Sequence, residues 1–162
     1  MEQYLKNGLW DQFGASIDML ENAMLMCPDD KWDTPTEFWY MAYHTLFFLD
    51  YYLSPDAYTF HPPAPFDLGH FDDVKPGRAY TREQLLFYLR YNRQKCFDLI
   101  HSLTSESGAV RWRNQSKTMD YSIVELLMYN MRHVQHHAAQ LNLLLRQQIN
   151  DAPDWVSRAG EK

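Results

Sequence analysis

The sequence is poor in cysteine and contains no long apolar run. Its two cysteines, Cys27 and Cys96, do not have the spacing of a cysteine metal site, so we expect two cytosolic thiols. No stretch approaches the roughly 18 consecutive apolar residues of a membrane-spanning helix. Residues 1–8 lack the basic and apolar regions of a secretory signal. These absences predict a soluble, cytoplasmic protein without a membrane partner.

The sequence also lacks an excess of positive charge. Its 15 lysines and arginines are scattered and outnumbered by 21 acidic residues, and the net charge of −6 argues against a nucleic-acid partner. Hydrophobic residues nevertheless make up 46% of the chain and aromatic residues 15%, too many for a disordered protein. The length of 162 residues suits one domain with a single core, and we predict that this domain spans residues 1–162.

Apolar residues recur at helical spacing in two segments near the start of the chain. Between residues 4 and 27 they follow three- and four-residue steps, and Pro28 ends the pattern. A second helix is predicted over residues 35–53, with Asp33 and Thr34 in its cap region and Pro35 in its first turn. This helix is apolar nearly all round, which is typical of a helix covered on most sides, and His44 stands in its middle.

Two further helices begin at capping-box patterns. Thr81 and Gln84 fit such a box at the start of a third helix that should end near Leu103. Ser122 and Glu125 fit another at the start of a fourth helix, which should run to about residue 148. Residues 105–121 are predicted to be a polar connection between these helices, and we predict no β-strand.

Residues 54–80 separate the second helix from the third and are rich in proline. A link of this length permits a crossover between helices of a bundle. It contains His61 and His70, for which we favour exposure to solvent over a position above a site. Four amphipathic segments with one long link predict an all-α fold, a four-helix bundle.

Two histidines of the fourth helix can aim at one point. His133 and His137 are four residues apart, which places them about 40° apart around the helix axis on its inward face. Asn130 and Gln140 share that face, whereas His136 lies toward its edge. His44, inward on a facing helix, is the best candidate for a third imidazole.

The polar side chains on this inward face need hydrogen-bond partners or a bound ion, because an unpaired buried polar group costs about 1–3 kcal/mol. A divalent metal bound by His44, His133 and His137 would satisfy the imidazoles; a hydrogen-bonded network with tyrosines such as Tyr40 is the alternative. Three imidazoles suit zinc, nickel, copper or iron and leave a coordination position open, as in catalytic zinc sites. Val134 occupies the place of the glutamate base that a zinc metalloprotease needs, which excludes that class.

The segment His133-Val134-Gln135-His136-His137-Ala138-Ala139-Gln140-Leu141 resembles the closing motif of the DinB-like superfamily, in which a histidine, a His-His pair and a following glutamine lie on the last bundle helix. The resemblance extends to His44 and to the four-helix plan. It implies an up-down-down-up bundle that binds nickel or zinc through His44, His133 and His137, and it implies a homodimer. Ala138-Ala139 stand where the commonest pattern has Arg-Gly.

Characterised members of that superfamily look like metal-dependent transferases or isomerases that use low-molecular-weight thiols such as bacillithiol or mycothiol. The resemblance therefore implies a thiol S-transferase or isomerase acting on a small electrophile as its substrate. Tyr40, Asn130 and Gln140 are the candidates for orienting the metal ligands. The alternatives are a non-catalytic, metal-binding stress-related module and a metal-free bundle with hydrogen-bonded core histidines. No residue stands out as a catalytic acid or base.

Overall fold

The computed structural model describes residues 1–72 and 74–160. Helices make up most of these residues, in agreement with the predicted helical class. The long helices are α1 (Gln3–Met26), α3 (Phe38–Tyr52), α4 (Arg82–Ser102) and α6 (Ile123–Ile149). The shorter elements are α2 (Asp29–Trp32), a 3-10 helix (Leu68–Asp72), α5 (Ser105–Ala109), β1 (Arg111–Arg113) and β2 (Asp120–Ser122). Within these described ranges, no helix combines the length and the apolar character needed to cross a membrane.

Two long helices begin at the predicted caps. At the start of α4, the backbone N–H of Gln84 donates to Thr81 Oγ1 at 3.2 Å, and the backbone N–H of Thr81 donates to the side-chain Oε1 of Gln84 at 2.9 Å. This reciprocal pair is a complete capping box. At the start of α6, the Glu125 amide donates to Ser122 Oγ at 3.2 Å, which is one half of the predicted box. All three bonds satisfy backbone amides that a helix start leaves without intrahelical partners.

The start of α3 differs from the prediction. The helix begins at Phe38 and not at Pro35, because Glu37 adopts a left-handed backbone conformation with φ of 56°. The Glu37 amide donates to the Thr34 carbonyl at 2.8 Å, so residues 34–37 close a separate turn. Pro35 therefore lies in this turn and not in the first turn of α3.

Each of the four long helices packs against two of the others. α6 contacts α1 and α3, and α4 contacts the same two helices. Fully buried apolar side chains line these contacts, among them Phe13, Ile17, Leu20, Leu46, Leu49, Leu85, Leu89, Val134 and Leu141. Because burying one such side chain contributes about 1.5–3 kcal/mol, this packing holds α3 against α6 at a fixed spacing.

Two buried asparagines attach the middle of α3 to its neighbours. Asn92 of α4 donates its amide to the Leu46 carbonyl, and Asn130 of α6 donates to the Leu49 carbonyl, both at 3.0 Å. Both asparagines are fully buried. Because a buried donor without a partner is costly, these bonds favour one alignment of α4 and α6 along α3. That alignment sets the height at which His44 faces α6.

The prediction of no β-strand was wrong. β1 and β2 form an antiparallel pair inside residues 105–121 and the cap that follows. Trp112 of β1 is only 2% exposed, and its indole N–H donates to the Ser54 carbonyl at 3.0 Å. Across the pair, Asp120 accepts from Arg111 at 2.8 Å and from Arg113 at 3.0 Å. The hairpin thus depends on burial of Trp112 against a distant segment, which a three-residue pattern does not predict.

The long link between α3 and α4 lies over α3. Its residues Phe60, Phe66 and His70 are buried, whereas His61 is exposed. Phe66 stacks on Tyr88 of α4 with 4.3 Å between ring centroids. The prediction that His70 is exposed to solvent was wrong, because the aromatic side chains of α3 surround its ring.

Candidate metal centre

The structure brings the three predicted histidines together between α3 and α6. One ring nitrogen each from His44, His133 and His137 lies within 4.8 Å of the other two. The His44 ring centroid is 4.8 Å from that of His137 and 5.5 Å from that of His133. Helical spacing on α6 puts the His133 and His137 centroids 4.6 Å apart. Among the described residues, this group contains imidazoles alone and no carboxylate.

The spacing of the ring nitrogens fits one bound ion. Two nitrogens on one tetrahedral zinc ion at about 2.0–2.1 Å lie about 3.3–3.4 Å apart. The Nε2 atoms of His44 and His133 are 3.5 Å apart, close to that value. No separation in the group exceeds 4.8 Å, so a shift of at most about 1.4 Å would bring the widest pair to the zinc spacing, and a modest side-chain rotation covers that distance.

Burial keeps these imidazoles neutral. Loss of solvent is the largest cause that lowers the pKa of His44 to about 4 and the pKa of His133 to about 3, and neighbouring imidazoles lower both further. Burial also lowers the pKa of His137. Neutral imidazole is the form that binds a metal, so the site is ready for a cation near neutral pH.

Gln140 is the predicted orienting residue that touches a histidine of the group. Its Oε1 lies 2.7 Å from His137 Nδ1 and accepts the proton of that nitrogen. This bond leaves His137 Nε2 available to the centre. Asn130 instead donates to the Leu49 carbonyl, so it positions α6 on α3 and makes no hydrogen bond to the three histidines.

His44 has a partner that the sequence analysis did not predict. Its Nδ1 lies 2.9 Å from Nε2 of His70, and Tyr40 Oη lies 3.4 Å from Nδ1 of His70. Tyr40 is therefore connected to His44 through the His70 ring. No local pattern in residues 54–80 distinguishes His70 from the exposed His61, and only packing against α3 does so.

His133 is oriented by packing. Its Nδ1 is buried without a hydrogen-bond partner among the described residues. Phe48 and Tyr52 of α3 contact its ring, with centroids at 5.9 and 6.1 Å. These two aromatic side chains hold the ring from the side of α3.

The centre is partly exposed. All three histidines are only partly buried. A shallow recess of about 540 Å³ adjoins His133 and is lined by Tyr129, Arg132, His133, Gln135, His136 and Ala139. The lining contains a guanidinium and no carboxylate. His136, predicted to lie toward the edge of the inward face, is exposed and lines this recess.

The two cysteines do not belong to the centre. Cys27 and Cys96 are free and buried. Burial raises the pKa of Cys27 to about 11 and raises that of Cys96 as well, so neither thiol is a ready thiolate.

Comparison with known proteins found no relative of this chain. No family model, curated protein or solved structure matches the chain. The resemblance to the DinB-like superfamily stays a prediction, and the interpretation of the centre depends on its own geometry.

Proposed function

We propose that this protein is a divalent-metal-dependent enzyme of the DinB-like superfamily, with His44, His133 and His137 as ligands of zinc or nickel. The corresponding fold is a four-helix bundle of α1, α3, α4 and α6 with an up-down-down-up course and residues 54–80 as its crossover. The packing of each long helix on two others supports that arrangement.

One observation carries the proposal: three neutral imidazoles, partly accessible, lie within 4.8 Å of one another. Three uncharged ligands do not neutralise a divalent cation, so an anion is favoured in the remaining coordination position. A divalent ion bound there would act as a Lewis acid and would hold a thiol sulfur deprotonated near neutral pH.

The chain's own residues supply the surroundings for thiol S-transfer or isomerisation of a small electrophile. Gln140 holds the His137 ring through its Nδ1 proton, and Phe48 and Tyr52 cover the His133 ring on the side of α3. The recess beside His133 is the place where we expect the substrate. Its Arg132 guanidinium can pair with an anionic group of a low-molecular-weight thiol.

A non-catalytic metal-binding module is the second candidate. It would be favoured by a closed set of four protein ligands, as in structural zinc sites. Among the described residues the group has three, and the nearby His70 uses its Nε2 for the bond with His44. We therefore place the enzyme first.

Metal content followed by turnover tests the proposal. The untagged protein is dialysed against Zn²⁺ or Ni²⁺, and bound metal is measured by elemental analysis. We expect one ion per chain in the wild type and in His61→Ala, an exposed control, and a loss of bound metal in His44→Ala. The loaded protein is then assayed for thiol consumption with a panel of electrophiles.

Each outcome selects one alternative. No bound metal in the wild type would leave a metal-free bundle with hydrogen-bonded histidines. Bound metal without turnover across the panel would favour the non-catalytic module. Turnover that disappears in His44→Ala and persists in His61→Ala would support the enzyme.

A further inference from the structure

His70 connects the long link to the centre. It belongs to the 3-10 helix Leu68–Asp72 and is only 6% exposed. Aromatic rings of α3 surround it: the centroids of Phe47 and Tyr43 lie 5.0 and 5.1 Å away, and that of Phe48 lies 5.5 Å away. A polar ring in such surroundings needs hydrogen bonds, because desolvation without partners is costly.

Both ring nitrogens of His70 have partners on α3. Nε2 lies 2.9 Å from Nδ1 of His44, and Nδ1 lies 3.4 Å from the hydroxyl of Tyr40. The first bond has an ordinary length and the second is long, so the contact with His44 is the stronger constraint. Tyr40, His70 and His44 thus form a chain that ends at the three-histidine group.

The bond between two imidazoles carries one proton, and its position decides what His44 can do. If His44 Nδ1 holds the proton and donates to His70 Nε2, then His44 Nε2 has a free lone pair facing the centre. His70 then carries its own proton on Nδ1 and donates toward the Tyr40 hydroxyl. The opposite arrangement places a proton on His44 Nε2, 3.5 Å from Nε2 of His133, where it blocks a metal.

We propose that His70 is a positioning residue that holds His44 in the tautomer with a free Nε2 and couples metal binding to the docking of the link, at residues 60–72, on α3. This inference rests on the proposed metal site. Because the coupling is a free energy shared by two events, it acts in both directions. A docked link strengthens metal binding, and bound metal strengthens docking of the link.

The first experiment measures Zn²⁺ dissociation constants by equilibrium dialysis. His70→Phe keeps an aromatic ring in the apolar surroundings and removes the acceptor, so we expect binding about 10- to 100-fold weaker. His70→Gln places an acceptor near the former Nε2 and should restore most of the affinity. His61→Phe, in the exposed part of the same link, is the matched control and should bind as the wild type does. Wild-type affinity in His70→Phe would overturn the proposal.

The second experiment uses amide hydrogen exchange, and its first comparison, wild type with and without Zn²⁺, needs no variant. Zn²⁺ should slow exchange of wild-type amides around residues 68–72, and His70→Phe should lose this response. An unchanged exchange rate in the loaded wild type would overturn the coupling. Absence of metal in the wild type would instead refute the proposed function itself, which keeps the two failures apart.

Discussion

Metal affinity should fall by about tenfold or less when the pH is lowered from about 7.5 to about 5.5, because the ligand imidazoles resist protonation. Burial holds the pKa of His44 at about 4 and that of His133 at about 3. Both values lie below the tested range, so both rings stay neutral throughout it. Imidazoles in water would be mostly protonated at its lower end.

The magnitude follows from competition between proton and metal. Protonation of a ligand nitrogen weakens the apparent metal affinity by the factor 1 + 10^(pKa − pH). For an imidazole with a pKa of about 6.5, this factor rises about tenfold between the two pH values, so three such imidazoles would weaken metal binding about a thousandfold together. At the pKa values of His44 and His133 the factor stays below about 1.1. His137, whose pKa is lowered too, then limits the total loss to about tenfold or less.

The assay is equilibrium dialysis against Zn²⁺ in a non-coordinating buffer at both pH values. The lowered histidine pKa values also reduce the unfolding free energy as the pH falls below about 6.5, because the unfolded chain then binds protons that the folded chain does not. Circular dichroism must therefore show a folded protein at both pH values. A loss near a thousandfold would mean that the imidazoles titrate as solvated groups, and it would refute the reasoning from burial.

Three further predictions concern single side chains. Lys95→Met should lower the unfolding free energy, measured in urea, by about 3 kcal/mol, because it removes the ammonium that lies 2.6 Å from the fully buried Asp50 carboxylate. An unchanged urea midpoint of unfolding would contradict this. Trp112→Ala should cost about 3–5 kcal/mol, and Trp112→Phe clearly less; equal effects would show that ring burial is not the cause. Gln140→Ala should weaken Zn²⁺ binding at least about tenfold without changing the melting temperature of the metal-free protein, and full affinity would show that the bond to His137 is dispensable.

Short-range rules predicted the long helices and the histidine group. The caps at Thr81 and Ser122 depend on residues three positions apart, and the structure contains both. The meeting of His133 and His137 depends on a four-residue step on one helix. His44 lies on a helix that is apolar nearly all round, so the pattern predicted a buried position for it, and the packing of α3 on α6 places its ring beside the other two.

Features that depend on distant residues were not predictable in this way. The hairpin exists because Trp112 is buried and donates to Ser54, which is far away in the sequence. His70 is buried because a link with no periodic pattern lies on aromatic residues of α3. The left-handed Glu37 at the start of α3 is a local exception, since residues 34–37 close a turn where a proline-initiated helix was equally acceptable.

The central claim is tested most directly by the metal content of two variants at adjacent positions of α6. His137 belongs to the three-histidine group, whereas the exposed His136 does not. After dialysis against Zn²⁺, elemental analysis should find one ion per chain in the wild type and in His136→Ala, and essentially none in His137→Ala. Equal metal content in the two variants, or a wild type that binds none, would contradict the account.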